Sequence, residues 1–206
     1  LGRFLQQGTL TQVQSSASKP PGKLHAIHQL AGAIFMATDG PLGRLRGVLI
    51  EEKSWLIRYL VIRAGDWLYE RDVFISPAAV RQLPGQGGGG NTIELALARE
   101  DCTAAPPANL NLCSSAEVGG YDIQVCDSSI GRVEDFLFDD AHWVTHSLVV
   151  NTYNWWLGSK KILISTSSID RIDGDKCTVR TTLTRAQFAD SPAYQPSIAS
   201  RAACFD

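Results

Sequence analysis

The chain of 206 residues has one methionine, Met36, and five cysteines, none of them in a C-x-x-C pair. An odd set of thiols without that spacing argues against a disulfide framework and against a zinc knuckle, so reduced thiols and a cytoplasmic setting are expected. Basic charge is not in excess: 19 lysines and arginines face 21 acids, a net −2. That removes the field expected where nucleic acid phosphate is the main partner: no DNA is expected and RNA is disfavoured, although a local basic patch stays open. No run of about 18 apolar residues occurs, so no transmembrane segment is expected. The opening stretch LGRFLQQGTLTQVQSSASKPPGK lacks the charged start and apolar middle of a secretory signal. A chain that begins with leucine is expected to have had its N-terminus cleaved or trimmed, which leaves a leader or anchor open.

Catalytic motifs are scarce as well. There is no G-x-S-x-G elbow, and no cysteine carries a motif that ties it to a histidine. The tract GQGGGGN (Gly85 to Asn91) lacks the lysine of a phosphate loop and runs into TIELALA, a strand pattern, so it reads as a flexible hairpin insertion. Asp139, Asp140, His142 and His146 could be imagined as metal ligands, but acidic residues at a hairpin turn need no metal. No catalytic, cofactor or metal residue is therefore assigned, and no enzyme is expected.

What the chain does have is an internal repeat. DGPLGRLRGVLIEEKSWLIRYLVIRAGDWL from Asp39 and DSSIGRVEDFLFDDAHWVTHSLVVNTYNWW from Asp127 align without gaps at an offset of 88, with eight identities in thirty positions. Chance would give roughly two. The identities are Asp39/Asp127, Gly43/Gly131, Arg44/Arg132, Leu49/Leu137, Trp55/Trp143, Leu60/Leu148, Val61/Val149 and Trp67/Trp155. The offset carries back to Leu24/Leu112. After small shifts VFISPAAV meets ILISTSSI, and TIELALARE meets TVRTTLTRA. The boundaries read as an N-terminal tail (1–22), a first copy (23–109), a second copy (110–194) and a C-terminal tail (195–206). The tails, rich in Ser, Pro, Gln and Ala, are expected to order mainly by lying on a partner or on the copies.

Each copy reads as five or six short strands at close spacing, a mainly β unit of about 80 residues with a thin core. LRGVLIE and VEDFLFD, then a polar turn, then WLIRYLVIR and WVTHSLVVN form a hairpin. Short helices are expected at SPAAV, at SSI and at TRAQFAD, where Thr184 can cap the start. Asp39 with Gly43, and Asp127 with Gly131, read as a turn in which the carboxylate accepts backbone N–H groups and glycine takes a positive φ. Trp67 with Leu68, and Trp155 with Trp156, place two large apolar side chains in succession on a strand, where neighbours point to opposite faces. Both faces of that strand are thus expected to be covered. These four residues, with Lys160 and Lys161 beside them, are the interface candidates. Charge separates the copies: seven bases against six acids (+1) from Asp39 to Arg81, and four against nine (−5) from Asp122 to Asp175.

YDIQVCDSSIGRVEDFLFDD, LVVNTYNWWLGSKKILIS and LTRAQFADSPAY in the second copy resemble the PRC-barrel family, and the first copy follows more weakly, with RLRGVLIEE in place of RVEDFLFDD. That family includes the cytoplasmic domain of the photosynthetic reaction-centre H subunit and the C-terminal domain of a ribosome-maturation factor. The resemblance implies two small antiparallel β-barrels in tandem and a role in docking to other macromolecules. By likeness to the H subunit, this chain is expected to be a non-catalytic adaptor for a larger complex, at the cytoplasmic face of a photosynthetic or other membrane assembly. An RNA-processing or ribosome-assembly factor and a small-ligand sensor at the seam between barrels are the alternatives.

Overall fold

A computed structural model of the chain describes residues 22–65, 70–83, 91–102, 105–106, 111–125, 128–152 and 160–195. Trp67, Leu68, Asp127, Trp155, Trp156, most of the glycine tract and almost all of both tails lie outside the described residues. The first copy runs β1 (Leu24–Ala26), α1 (Ile27–Ala31), β2 (Ile34–Ala37), β3 (Gly40–Glu51), β4 (Ile57–Ala64), β5 (Arg71–Ile75), β6 (Val80–Gln82) and β7 (Thr92–Leu95). The second repeats that order with β8 (Leu112–Ser114), α2 (Ser115–Val118), β9 (Asp122–Val125), β10 (Ser128–Asp139), β11 (Thr145–Thr152), β12 (Lys161–Ser165), β13 (Ile169–Asp173) and β14 (Thr178–Thr181), and closes with α3 (Arg185–Ala189).

The short helices follow their local chemistry. Pro77–Ala79 and Thr166–Ser168 are single 3-10 turns, each entered through a serine side chain that accepts a backbone N–H. Thr184 caps α3 in a reciprocal box. Its hydroxyl accepts from Gln187 N (3.3 Å), while the Gln187 side chain accepts from Thr184 N (2.9 Å).

The chain is mainly β, in two seven-stranded sheets, and the sheets do not follow the repeat boundaries. One has the order β5-β4-β3-β2-β7-β6, with β8 paired to β3; the other has β12-β11-β10-β9-β14-β13, with β1 paired to β10. Each copy therefore lends its first strand to the other. Leu24 pairs with Asp139 and Leu112 with Glu51, and both residues of one pair differ from those of the other by the sequence offset, so the exchange is reciprocal and in register. A three-residue strand cannot stand alone, and a long strand with one unpaired edge invites a partner. Exchange satisfies both. Among the described residues no ladder joins the two ends of either sheet.

The long strands bend at matched bulges, between Leu45 and Gly47 in β3 and between Val133 and Asp135 in β10. The residue skipped by each ladder is charged and exposed, Arg46 in one copy and Glu134 in the other, as expected where a bulge re-aims a side chain outward. One contiguous set of buried side chains runs through both copies, from Phe35 and Leu60 to Phe136, Leu148 and Phe188. Sharing it offsets the thin core of an 80-residue unit. On β11, Leu148, Val149 and Val150 are all buried, so both faces of this strand are covered. Part of the outer cover comes from Ala26 on the exchanged β1.

Candidate interaction surface

The two halves meet about an approximate two-fold relation at their hairpin turns. Leu56 and Val144, equivalent in the repeat, form an antiparallel bridge. Ile57 N donates to Trp143 O and Thr145 N to Trp55 O, each at 2.8 Å. Trp55 and Trp143 take φ of 56° and 58°, a left-handed conformation that costs a bulky residue about 1–2 kcal/mol. The cost is met in place: each tryptophan N–H donates to the carboxylate-bearing residue four positions back, Glu51 O (2.8 Å) and Asp139 O (2.9 Å), closing the turn. In the second half Trp143 stacks on Phe138 (5.2 Å between centroids, 18° between planes), and Phe138 in turn meets His25 from the exchanged strand at 5.8 Å. The pair Trp55/Trp143 stands among the repeat identities, yet nothing in its sequence context says that it marks the contact between copies.

Carboxylates of β10 and its turn hold all four histidines. His25 Nε2 lies 3.0 Å from Asp140, and His28 Nδ1 pairs with Asp135. Those two contacts clip the exchanged segment onto the second half. Asp139, 6% exposed, receives His142 Nδ1 at 3.0 Å on one oxygen and His146 Nε2 at 2.9 Å on the other, with the His142 N–H at 2.6 Å. Burial alone would raise its carboxyl; the His142 backbone N–H and the imidazoles of His146 and His142 outweigh this and hold it below the usual carboxylate range. Among the described residues no group of three or more His, Cys, Asp or Glu side chains is arranged to hold a metal ion. Cys113, on the exchanged β8, is buried, and burial pushes its thiol up to about 12.

The positive φ expected of the turn glycines is found at Gly43 and not at Gly131. Gly43 lies within β3 and Gly131 within β10, and what both supply is close approach of two backbones. A Cβ on Gly43 would sit 1.9 Å from Arg63 O, and one on Gly131 would sit 2.7 Å from Asn151 O. Gly43 also has φ +157°, whereas Gly131 needs no such freedom. Asp39 reaches across the sheet, accepting Arg99 N at 2.9 Å and Arg99 Nε at 3.2 Å. The Arg99 backbone N–H, followed by its guanidinium, holds the Asp39 carboxyl below its ordinary range. With Arg44, Arg71 and Ile34, an apolar side chain left 38% exposed, this pair borders a hollow of about 700 Å³.

The lysine pair is held within its own half. Lys161 Nζ pairs with Glu134, the contact that chiefly raises its pKa. Lys160 N donates to Thr152 Oγ1 (3.2 Å), and its Nζ reaches Ala189 O at 3.4 Å. The other interface candidates, Trp67, Leu68, Trp155 and Trp156, are outside the described residues, as is Asp127. A second hollow, of about 570 Å³, lies at the seam, between Glu52, Lys53 and Trp55 of one copy and Thr166, Asp170 and Arg171 of the other.

The halves carry opposite charges at matched outer positions. In the first, Arg46 pairs with Asp72, which also receives Arg63 Nε at 3.3 Å. In the second, Glu134 replaces Arg46 and Lys161 replaces Asp72, so the pair is reversed in sign. No protein-family model matches the chain, and no curated sequence matches it.

Proposed function

We infer that the chain is a non-catalytic adaptor, one body with two chemically unlike outer faces that docks onto a larger assembly. The observation that carries this is the reversed pair, Arg46–Asp72 against Glu134–Lys161, on a frame whose halves are locked by exchanged strands. Unlike faces in fixed relation suit a link between unlike partners, because charge at a rim steers encounter and sets orientation. The resemblance to PRC barrels supports the same reading, with each half as a small barrel and the cytoplasmic face of a membrane complex as the setting. This reading is tested by presenting the immobilised full chain to native membrane extract and, in parallel, to ribosomes. A saturable complex with one membrane-associated protein, weakened by Arg46→Glu, is the expected result. Co-sedimentation with ribosomes at physiological salt would replace this reading with the RNA one.

The hollow at the seam favours a second reading, a small-ligand sensor, because Trp55 lines it and a ligand there would bridge both copies. Quenching of tryptophan fluorescence across a metabolite set, lost in Trp55→Phe, is its test.

A further inference from the structure

The two halves agree in frame and differ in one piece of cover. On the outer face of the second half, Ala26, Leu137, Val149 and Leu163 form an apolar cluster, and Tyr194 packs against it. Backbone bonds hold the ring there: Leu163 N donates to Pro192 O at 2.9 Å, Tyr194 N donates to Lys161 O at 2.8 Å, and Ala193 bridges Ile162. Residues 192–194 are thus a strap along the edge of β12. The repeat places Ser114, Leu49, Val61 and Phe74 at the positions of Ala26, Leu137, Val149 and Leu163. In the first half these residues line an open groove of about 270 Å³. Leu49 is half-buried where Leu137 is 3% exposed.

The sequence explains the difference. The strap positions correspond to Pro106, Pro107 and Ala108, which bring no aromatic ring, with alanine in the place of Tyr194. Among the described residues nothing pairs with the outer edge of β5. The groove is continuous with the interface between the copies, since Ser114 and Ala116 come from the exchanged segment. Its two rims differ in charge: Arg46, about half exposed and paired with the less exposed Asp72, stands on one side, with Arg63 next to it meeting both Asp72 and Glu70, and Glu117 stands on the other.

We propose that this groove, walled by Leu49, Val61 and Phe74 and edged by β5, docks an extended segment of a partner protein that carries an aromatic side chain with an acidic residue a few positions before it. The segment adds to β5 by backbone hydrogen bonds, as residues 192–194 do to β12; its ring enters the groove and its acid faces Arg46 and Arg63. This rests on the adaptor reading and names the chemistry of one partner.

The test uses the isotope-labelled full chain and a capped peptide, Asp-Ser-Pro-Ala-Tyr-Gln, the chain's own strap sequence from Asp190 to Gln195 supplied in trans. Saturable amide shifts at Val73, Phe74 and Ile75 and at Leu49 and Val61, with a Kd of roughly 0.1–1 mM, are expected. The same peptide with alanine for tyrosine should bind at least about tenfold more weakly, and so should the tyrosine peptide to Ala116→Trp, a change at an exposed residue that fills the groove. Equal binding of both peptides, no binding, or shifts confined to Leu137, Val149 and Leu163 would overturn the proposal. The same shifts produced by raising the concentration of the chain alone would assign the groove to a second copy and overturn it too. If the groove fails while the full chain still forms its saturable membrane-protein complex, the adaptor reading stands and only the groove is lost.

Discussion

Cutting the chain between Asn109 and Leu110 is the most direct probe of the strand exchange, because it separates each copy from the strand it borrows. The fragment 110–206 loses β1, which pairs with β10 from Leu137 to Asp139 and helps to cover Leu137, Phe138 and Val149, all 3% exposed or less. Full burial of such a side chain is worth about 2 kcal/mol, so half-exposing the three costs about 3 kcal/mol before the unpaired edge of β10 is counted. A unit of about 90 residues holds on the order of 5–13 kcal/mol in all. Each separated half is therefore expected to melt roughly 12–24 °C below the intact chain, and an equimolar mixture should recover the intact melt and its near-ultraviolet dichroism. Circular dichroism and size exclusion on the fragments, alone and mixed, provide the readout. Fragments that each melt at the parent temperature as monomers and ignore one another would refute the exchange.

Three further outcomes follow from single side chains. Among the described residues the buried Tyr194 hydroxyl has no hydrogen-bond partner, so Tyr194→Phe should leave the urea midpoint unchanged or raise it, whereas Tyr194→Ala should cost about 1–2 kcal/mol by uncovering one side of a buried cluster. Gly43→Ala forces a methyl against Arg63 O and should cost about 2–3 kcal/mol in the same measurement. Because Asp139 is held below its ordinary range in the fold, its contribution is fully present above about pH 4 and is lost as pH falls through the lowered value. Asp139→Asn should therefore be less stable than the parent at pH 7, by about 1–2 kcal/mol, with the gap closing in acid; a gap that stays constant to pH 2 would show that the carboxylate charge is not what matters.

The repeat offset by itself determined a great deal. The hairpin strands, the polar turns between them and the helix cap at Thr184 depend on neighbours close in sequence, whose spacing and side-chain type constrain the backbone directly. The doubled residues Trp67 with Leu68 and Trp155 with Trp156, from which covered strand faces were expected, lie outside the described residues, while on β11 itself Leu148, Val149 and Val150 are buried in succession. Gly43 and Gly131 were visible as an identity and read as turn freedom, which holds for the φ of Gly43 alone; the close backbone approach that both supply depends on a partner strand some twenty residues away.

What only the tertiary structure decided was which copy each element serves. Leu24 and Leu112 begin their repeats in sequence and finish in each other's sheets, and a local pattern cannot distinguish a strand that pairs at home from one that pairs next door, since both present the same edge. The same holds for Trp55 and Trp143, placed at the contact by a bridge between residues 88 apart, and for Tyr194, whose strap in one half leaves its counterpart groove open in the other. Hydrogen bonds and apolar contact reward proximity in space, and in this chain the closest partners of several decisive side chains lie a whole repeat away.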